Sequence, residues 1–326
     1  MAVDWNKAGG QIIMEFFKAN TNVNFLGLQK WAFLFSIMIF VASITSLIAY
    51  GLDFGLDFTG GTQVTLTFKQ PANLNQIRKE LKTAGFKDTQ VQSYGSSRSV
   101  LISVGIDKKL SDEEGLKQIQ EKYTAKIVKA VPDSTVDSVS SIGAKVSSEL
   151  AYKGILAVVV AMLATMIYIA FRFEWHLAVG AAISLVHDPI LILGVFAFFR
   201  VQFDLVSLAA VLTVIGYSLN DTIVVFDRVR ENFRKMRRGT AREIVNASIN
   251  QTLSRTIMSS GLTLLVVIAL FCLGGPVIHT FAMALIIGIF IGTYSSIYVA
   301  GSLAVALGLK RSDLLTAVKK DYDDRP

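Results

Sequence analysis

The sequence contains few of the residues that usually carry redox or metal chemistry. Among its 326 residues there is one cysteine, Cys272, so no disulfide can form within the chain. The three histidines, His176, His187 and His279, lie on separate segments. No nucleophile–base pair, metal-ligand spacing or phosphate-binding loop accompanies them. We therefore expect neither an enzyme nor a bound metal or cofactor.

Charged residues are also scarce, and this predicts a membrane protein. Only 17% of the residues are charged and 52% are hydrophobic, whereas a soluble domain has about 25% charged residues. The net charge of +7 arises largely from basic residues beside the hydrophobic runs, which is where membrane proteins carry their cytoplasmic lysine and arginine. We therefore expect lipids around the hydrophobic runs and no nucleic-acid partner.

Six apolar runs are predicted to cross the membrane, since a bilayer core needs about 20 such residues in a helix. They cover residues 31–50, 154–171, 177–199, 205–226, 258–273 and 277–307. The first run starts late and lacks a small-residue cleavage site, which favours a retained anchor over a signal peptide. Residues 1–30 carry a short amphipathic pattern that predicts a segment lying on the cytoplasmic membrane surface.

The distribution of basic residues predicts the orientation of these spans. Six spans place both termini on the same side, and residues 227–256 and 308–326 are rich in lysine and arginine. By the positive-inside rule, the basic loop 227–256, the tail 308–326 and both termini are cytoplasmic. The long segment 51–153 then lies on the opposite side, because long domains translocate largely regardless of their charge.

The inserted segment 51–153 has the pattern of a small α+β domain. The stretch GTQVTLTF alternates at period two, as a half-buried strand does, and NLNQIRKELKTAGF places its apolar residues on one helical face. The stretches TQVQSY and SVLISVG flank the turn GSSR, a second helix runs to about Val131, and STVDSVSSI supplies a last strand. The order βαββαβ predicts a ferredoxin-like sandwich. Its composition favours binding over catalysis.

An acid within the fourth span is the strongest functional signal. Asn220 and Asp221 lie about one turn from the cytoplasmic end of that span, and an ionised carboxylate there costs at least about 2.5 kcal/mol on insertion scales. Arg255 begins the fifth span, with Ser259 and Thr263 on its face, so antiparallel neighbours bring it to similar depth. The two groups either form a pair whose proton is easily moved, or Arg255 extends to the interface while Asp221 joins a local hydrogen-bond network.

The third span carries a second polar pair, His187 and Asp188, directly before Pro189. A histidine at this depth can hold or pass a proton near neutral pH. The alternative, which we favour slightly, is that the pair hydrogen-bonds to neighbouring helices and supports a kink at the proline. Gly288 and Gly292 form a G-x-x-x-G in the last span, which indicates only a close helix neighbour.

Two long motifs resemble the SecF branch of the SecD/SecF protein-export family. These are GLDFTGGT, which contains Asp57, Gly60 and Gly61 directly after the first span, and GYSLNDTIVVFDRVRENFRKMRRG, residues 216–239. The family's intramembrane aspartate, in its N-D-[ST] motif, falls on Asp221. Its arginine in the L-x-R-T context falls on Arg255.

The resemblance implies more than the residues alone establish. The family belongs with the proton-driven RND-type transporters, in which SecD and SecF supply two pseudo-symmetric six-span halves in the bacterial inner membrane. It implies SecD, the SecYEG channel, the SecA motor and YajC as partners, an unfolded polypeptide as substrate, and a periplasmic position for residues 51–153. A second aspartate belongs to SecD, so this chain is expected to hold half of a proton path.

Two other functions fit the sequence less well. An independent exporter of small molecules or lipids needs a second six-span half, which a chain of this length does not hold. A passive assembly subunit needs no proton site, so it predicts that Asp221 and Arg255 tolerate neutral replacement.

Overall fold

The computed structural model describes residues 21–86, 89–105, 113–236, 238–310 and 313. Most of the predicted surface segment 1–30 and of the tail 308–326 lies outside these ranges. Both predictions therefore stay predictions.

Six helical segments are long and apolar enough to cross a membrane, as the sequence predicts. The first five are single helices, and the sixth is a helix that continues through a π-helical turn, Ser295–Ala300, into a short last helix. Their bounds are α1 Gln29–Tyr50, α5 Ala144–Arg172, α6 Trp175–Phe199, α7 Leu205–Lys235, α8 Ala241–Leu273, and α9 Gly275–Tyr294 with α10 Gly301–Ala306.

Between α1 and α5 the chain forms a sheet packed against two helices, which we call the sheet domain. Its elements are β2 Gly61–Phe68, α3 Leu74–Thr83, β3 Thr89–Tyr94, β4 Ser96–Val104, α4 Glu113–Ala130 and β5 Ser134–Ile142. All neighbouring strands are antiparallel, and the order across the sheet is β3-β4-β2-β5. The strands and helices predicted from periodicity are all present, but β4 begins at Ser96, so three of the four residues predicted to form the turn, 96–98, belong to the strand.

Alternation along the strands explains why the sheet and its helices pack together. Val64 of β2 pairs with Ile102 of β4, so both side chains leave the same face of the sheet. On that face they meet Ile77 of α3 and Ile127 of α4, and all four are buried in one apolar cluster. The predicted helical face of α3 is thus the face that packs on the sheet.

A short connector joins the sheet domain to the spans. It consists of the two-residue strand β1 Asp53–Phe54 and the one-turn helix α2 Leu56–Thr59. β1 pairs in parallel with β6 Gln202–Phe203, which precedes α7. The connector therefore lies where α1 and α6 end and α5 and α7 begin.

The predicted basic loop 227–256 is mostly helical in the structure. α7 continues to Lys235 and α8 starts at Ala241, so both helices extend beyond the apolar runs. Arginine, lysine and glutamate are good helix formers, and Glu231 pairs with Arg228 and Lys235 on one side of α7. Thr240 and Glu243 form a capping box that starts α8. Similarly, α5 begins within the segment assigned to the inserted domain.

The G-x-x-x-G of the last span marks a close contact between α9 and α7. A methyl group on Gly288 would lie 2.2 Å from Val214 Cγ2, and one on Gly292 would lie 2.9 Å from Ser218 Cβ. Small residues allow two helix backbones to approach closely in a membrane. The sequence indicated the close neighbour but not its identity.

We expect Gly292→Ala to lower the free energy of unfolding by about 1 to 3 kcal/mol, because α7 and α9 must separate to admit the methyl group. Gly261→Ala is the matched control, since among the described residues nothing outside its own turn of helix lies within 4 Å of the added methyl group. Thermal unfolding of the detergent-solubilised protein checks this. Equal midpoints for the two variants would contradict the packing described here.

Candidate functional site

Asp221 lies inside the helix bundle, and its one side-chain hydrogen bond among the described residues comes from a hydroxyl group. Its side chain is 2% exposed, and its Oδ2 accepts a hydrogen bond of 3.3 Å from Ser260 Oγ of α8. Ser260 also contacts Thr293 Oγ1 of α9 at 3.0 Å and accepts a bond from the Tyr217 hydroxyl at 3.3 Å. Among the described residues, Asp221 has no ion pair within 4.0 Å. The acid is thus buried without a fixed countercharge.

The structure does not bring Arg255 into contact with Asp221. Arg255 is exposed on α8, five residues before Ser260, and makes no hydrogen bond or ion pair with any described residue. It is near enough to act electrostatically on Asp221. Their direct pairing stays a prediction. The sequence also placed Ser259 on the relevant face, whereas the neighbouring Ser260 makes the contact.

Asn220 points away from Asp221 although the two are adjacent in sequence. Consecutive residues on an α-helix are about 100° apart around its axis, and Asn220 is exposed while Asp221 is buried. Asn220 therefore joins Arg255 as a polar side chain on the outside of this single chain. A role for Asn220 in moving protons stays a prediction.

His187 and Asp188 form the centre of a buried network that joins four spans. His187 Nδ1 lies 2.9 Å from Asp188 Oδ1, and His187 Nε2 lies 2.8 Å from Ser36 Oγ of α1. Asp188 Oδ2 accepts hydrogen bonds from Ser218 Oγ of α7 at 2.5 Å and from Ser295 Oγ at 2.8 Å. Every polar atom of the pair therefore has a partner on another element or on the other residue.

The π-helical turn in the last span supplies part of this network. Ser295 and Ser296 are consecutive, yet both hydroxyl groups reach the bundle interior: Ser295 bonds to Asp188, and Ser296 lies 3.0 Å from Thr222 Oγ1 of α7. A π-turn inserts one residue into the helix and shifts the following side chains around the axis. The two networks meet on α7, because Ser218 belongs to the first and Asp221, three residues later, to the second.

The glycine-containing motif after α1 binds the opposite end of α7. Asp57 Oδ2 accepts a hydrogen bond of 3.0 Å from the backbone N–H of Leu205, the first residue of α7. Gly60 and Gly61 have φ angles of 66° and 138°, in the region that favours glycine. A methyl group on Gly61 would lie 2.4 Å from the carbonyl oxygen of Val104. No other residue fits this position without movement of the sheet.

Two family models match these regions. The one described as protein export membrane protein SecD/SecF, C-terminal, matches residues 122–310, and the SecD/SecF GG motif matches residues 45–72. The first covers more than half of the chain. The chain belongs to the SecD/SecF family. As a SecD/SecF protein it carries both motifs in the expected order, with the GG motif at the connector and the C-terminal region over five of the six spans.

Relatives within the family carry the SecF name. The protein translocase subunit SecF of Vibrio alginolyticus is 47% identical over 323 residues, which are 96% of this chain and 100% of that protein. The subunit of the same name from Pseudomonas aeruginosa is 43% identical over 305 residues, or 93% of this chain and 98% of that one. The similarity thus extends over nearly the full length of both relatives.

Two solved structures of SecDF are similar to this SecD/SecF protein. SecDF from Thermus thermophilus, described as a translocon-associated membrane protein, matches with a TM-score of 0.79 and 33% identity over 89% of this chain. SecDF in a super-membrane-facing form matches with a TM-score of 0.63 and 33% identity over 88% of this chain. In both cases the chain spans 39% of the SecDF chain.

One group of possible metal ligands occurs among the described residues. Glu174, His176 and Asp313 place their ligand atoms within 4.8 Å of one another. Glu174 also caps α6 by accepting a bond from the backbone N–H of His176, and its other oxygen lies 2.7 Å from His176 Nδ1. The contacts of Glu174 with His176 are those of a helix cap. Asp313 is distant along the chain, so no sequence pattern indicated this group.

Proposed function

We propose that this chain acts as the SecF-type subunit of a protein translocase. With a SecD-type partner it uses the proton-motive force to assist the export of unfolded polypeptides across the bacterial inner membrane, together with the SecYEG channel, the SecA motor and YajC. The family and the translocase names of the relatives support this proposal. So does the similarity to part of SecDF, since the remainder of that longer chain leaves room for a SecD-type half.

We further propose that both termini are cytoplasmic and that the sheet domain is a periplasmic, ferredoxin-like sandwich. The observed element order βαββαβ and the all-antiparallel strand order β3-β4-β2-β5 support the fold assignment. The orientation is supported by the arginine and lysine residues on the helix ends around residues 227–242, which lie at the opposite end of the bundle from the sheet domain.

The observation that carries the proton-driven function is the burial of Asp221, whose carboxyl group has one serine hydroxyl as hydrogen-bond partner and no ion pair among the described residues. A buried carboxyl group without a fixed cation is stabilised in its neutral form, and a nearby positive charge favours the ionised form. Arg255 and Asn220 are both exposed in this single chain, and we propose that a SecD-type half covers them. A small change in the distance between Arg255 and Asp221 would then shift the proton equilibrium.

We assign His187 and Asp188 a different task within the same mechanism. Their partners lie on four spans, so the pair ties α1, α6, α7 and the π-turn together. Hydrogen bonds of this kind fix the position of α7, on which Asp221 is carried. The pair thus supports the proton site without being part of the exchange itself.

The available energy sets a limit on how protons move the protein. One charge crossing a membrane potential yields about 2.3 kcal/mol per 100 mV. Moving a two-state equilibrium from 1:99 to 99:1 takes about 5.5 kcal/mol. A single proton therefore biases the position of the sheet domain, and several protons are expected for each exported polypeptide.

Export in membrane vesicles tests the proposed function. The experiment measures uptake of a reporter polypeptide by inverted inner-membrane vesicles that contain SecYEG and SecA. Vesicles with and without this chain and its SecD-type partner are compared, each in the presence and in the absence of a proton gradient. We expect the pair to raise uptake only when the gradient is present. Adding YajC separately shows whether it changes this response. Equal stimulation without a gradient would rule out the proton-driven function.

A passive scaffold is the second candidate, and one observation favours it: Arg255 forms no ion pair with Asp221 in the described part of the chain. A scaffold assembles partners through the sheet domain and the basic helix ends alone. It predicts that neutral replacement of either residue leaves export unchanged.

A further inference from the structure

The connector attaches the sheet domain to the start of α7 through the backbone. In the parallel pair of β1 and β6, Asp53 lies opposite Gln202, and Phe54 lies opposite Phe203. The N–H of Gly55 donates a hydrogen bond of 2.8 Å to the carbonyl oxygen of Phe203. The chain that leaves α1 is thus held to the chain that enters α7.

Asp57 adds a charged contact to the helix itself. Its Oδ2 accepts from the N–H of Leu205 at 3.0 Å, while Asp204 caps the same helix by accepting from the N–H of Ser207 at 2.7 Å. The first N–H groups of a helix lack partners within the helix and carry partial positive charge. Two carboxyl groups, one from each segment, therefore hold this end of α7.

The connector is equally confined where it meets the sheet domain. Only three residues separate Asp57 from Gly61, the first residue of β2, an inner strand of the sheet. Gly60 packs against the start of α5, where a methyl group would lie 3.0 Å from Ser147 Oγ and 3.3 Å from Ala144 Cα. The segment between Asp57 and the sheet is therefore short and packed, and it is not a flexible linker.

We propose that Asp57 is a positioning residue that couples α7 to the sheet domain, so that a shift of the helix carrying Asp221 moves β2 with it. Asp221 lies 16 residues along α7 from Leu205, or about 24 Å at 1.5 Å per residue. The helix transmits the displacement over that distance, and Asp57 passes it to the connector. This inference depends on the proposed function and gives the family's GG motif a mechanical role.

The simpler possibility is that Asp57 only stabilises a helix end. Its loss would then lower stability without changing how the sheet domain responds to the gradient. The two roles are therefore separated by measuring the position of the sheet domain and the movement of protons in the same preparation.

The test uses the full chain with its SecD-type partner in vesicles, in a Cys272→Ser background. Spin labels replace Lys79 on α3 and Tyr152 on α5, both of which are exposed, and the distance between the labels is recorded with and without a proton gradient. Proton entry is measured in parallel. The variants are Asp57→Ala and Asp57→Asn, because asparagine retains the shape and an acceptor oxygen if alanine prevents assembly.

Asp53→Asn is the matched control in the same connector. Asp53 accepts a bond of 2.6 Å from Gln90 and, among the described residues, has no side-chain hydrogen bond or ion pair with α7. Burial raises the pKa of Asp53, against the positive charge of Arg200 and the bond from Gln90. Folding thus disfavours its ionised form, so removing the charge at neutral pH is not expected to lower stability.

We expect the gradient to change the label distance in the wild type and in Asp53→Asn. In Asp57→Ala the fraction of molecules that respond falls about tenfold, because a tenfold change corresponds to about 1.4 kcal/mol, which is near the lower end of the free energy of a hydrogen bond to a charged group. Proton entry persists in this variant. Asp57→Asn gives a smaller loss. A full distance response in both Asp57 variants would overturn the inference, and so would a wild type in which protons cross the membrane while the label distance stays constant. If the proposed function is wrong, Asp221→Asn leaves both proton entry and the distance response as they are in the wild type. That result is distinct from the results that would overturn the coupling role of Asp57.

Discussion

Asp221→Asn reduces export with a proton gradient to the level seen without one. Asparagine has nearly the shape of aspartate and can still accept the hydrogen bond from Ser260, so we expect the bundle to assemble. It cannot release or take up a proton. The gradient-dependent part of export, measured as uptake of a reporter polypeptide into inverted vesicles, is therefore expected to disappear while the gradient-independent part remains.

Asp227→Asn is the matched control for this experiment. It makes the same chemical change six residues further along α7, at a half-exposed carboxyl group paired with Arg172. Exposed ion pairs contribute about 0 to 1 kcal/mol, so export is expected to be unchanged. If Asp221→Asn behaves like Asp227→Asn, the acid in α7 is a packing group and the scaffold function is correct.

Asp188→Ala is expected to lower the free energy of unfolding by about 2 to 5 kcal/mol. The substitution leaves His187, Ser218 and Ser295 without their shared acceptor, and each buried donor left without a partner costs about 1 to 3 kcal/mol. Interhelical hydrogen bonds in membranes average only about 0.6 kcal/mol each, because the separated helices find other partners. The bonds from Ser218 and Ser295 are the two interhelical ones and together contribute about 1.2 kcal/mol. His187 lies on the same helix as Asp188 and loses a buried partner at a cost of at least about 1 kcal/mol, which places the lower bound near 2 kcal/mol.

Thermal unfolding in detergent measures this effect, with Asp188→Asn and Asp227→Ala for comparison. Asparagine keeps an acceptor for one serine and is expected to give an intermediate loss, whereas Asp227→Ala lies at the exposed end of α7 and is expected to change stability by less than about 1 kcal/mol. A midpoint for Asp188→Ala equal to that of Asp227→Ala would show that the buried network does not hold the spans together.

Much of the fold follows from local pattern. Period-two alternation located β2, and helical spacing located α3, because each element must bury one apolar face. Hydropathy located the six spans but not their ends. The helices run on through residues 227–235 and 241–256, where polar helix formers and capping residues, which hydropathy does not detect, decide the structure.

The candidate site was predicted less completely. The free-energy cost of placing an ionisable side chain within a membrane span was the signal that indicated Asp221 and the His187–Asp188 pair. The partners were missed, because periodicity gives the faces of one helix but not the rotation of two helices relative to each other. Ser260 instead of Ser259 contacts the acid for this reason. The π-turn that turns Ser295 inward has no simple sequence pattern, and the contact of Asp57 with α7 joins segments far apart in the chain.

Proton movement across the membrane during export tests whether Asp221 is the site at which this chain exchanges protons. Vesicles that contain the channel, the motor, the SecD-type partner and this chain are given a proton gradient, and proton movement is followed as a reporter polypeptide is exported. We expect export to increase proton movement in the wild type and in Asp227→Asn. We expect no such increase in Asp221→Asn. An equal increase in Asp221→Asn would contradict the assignment of Asp221 as the site at which this chain exchanges protons.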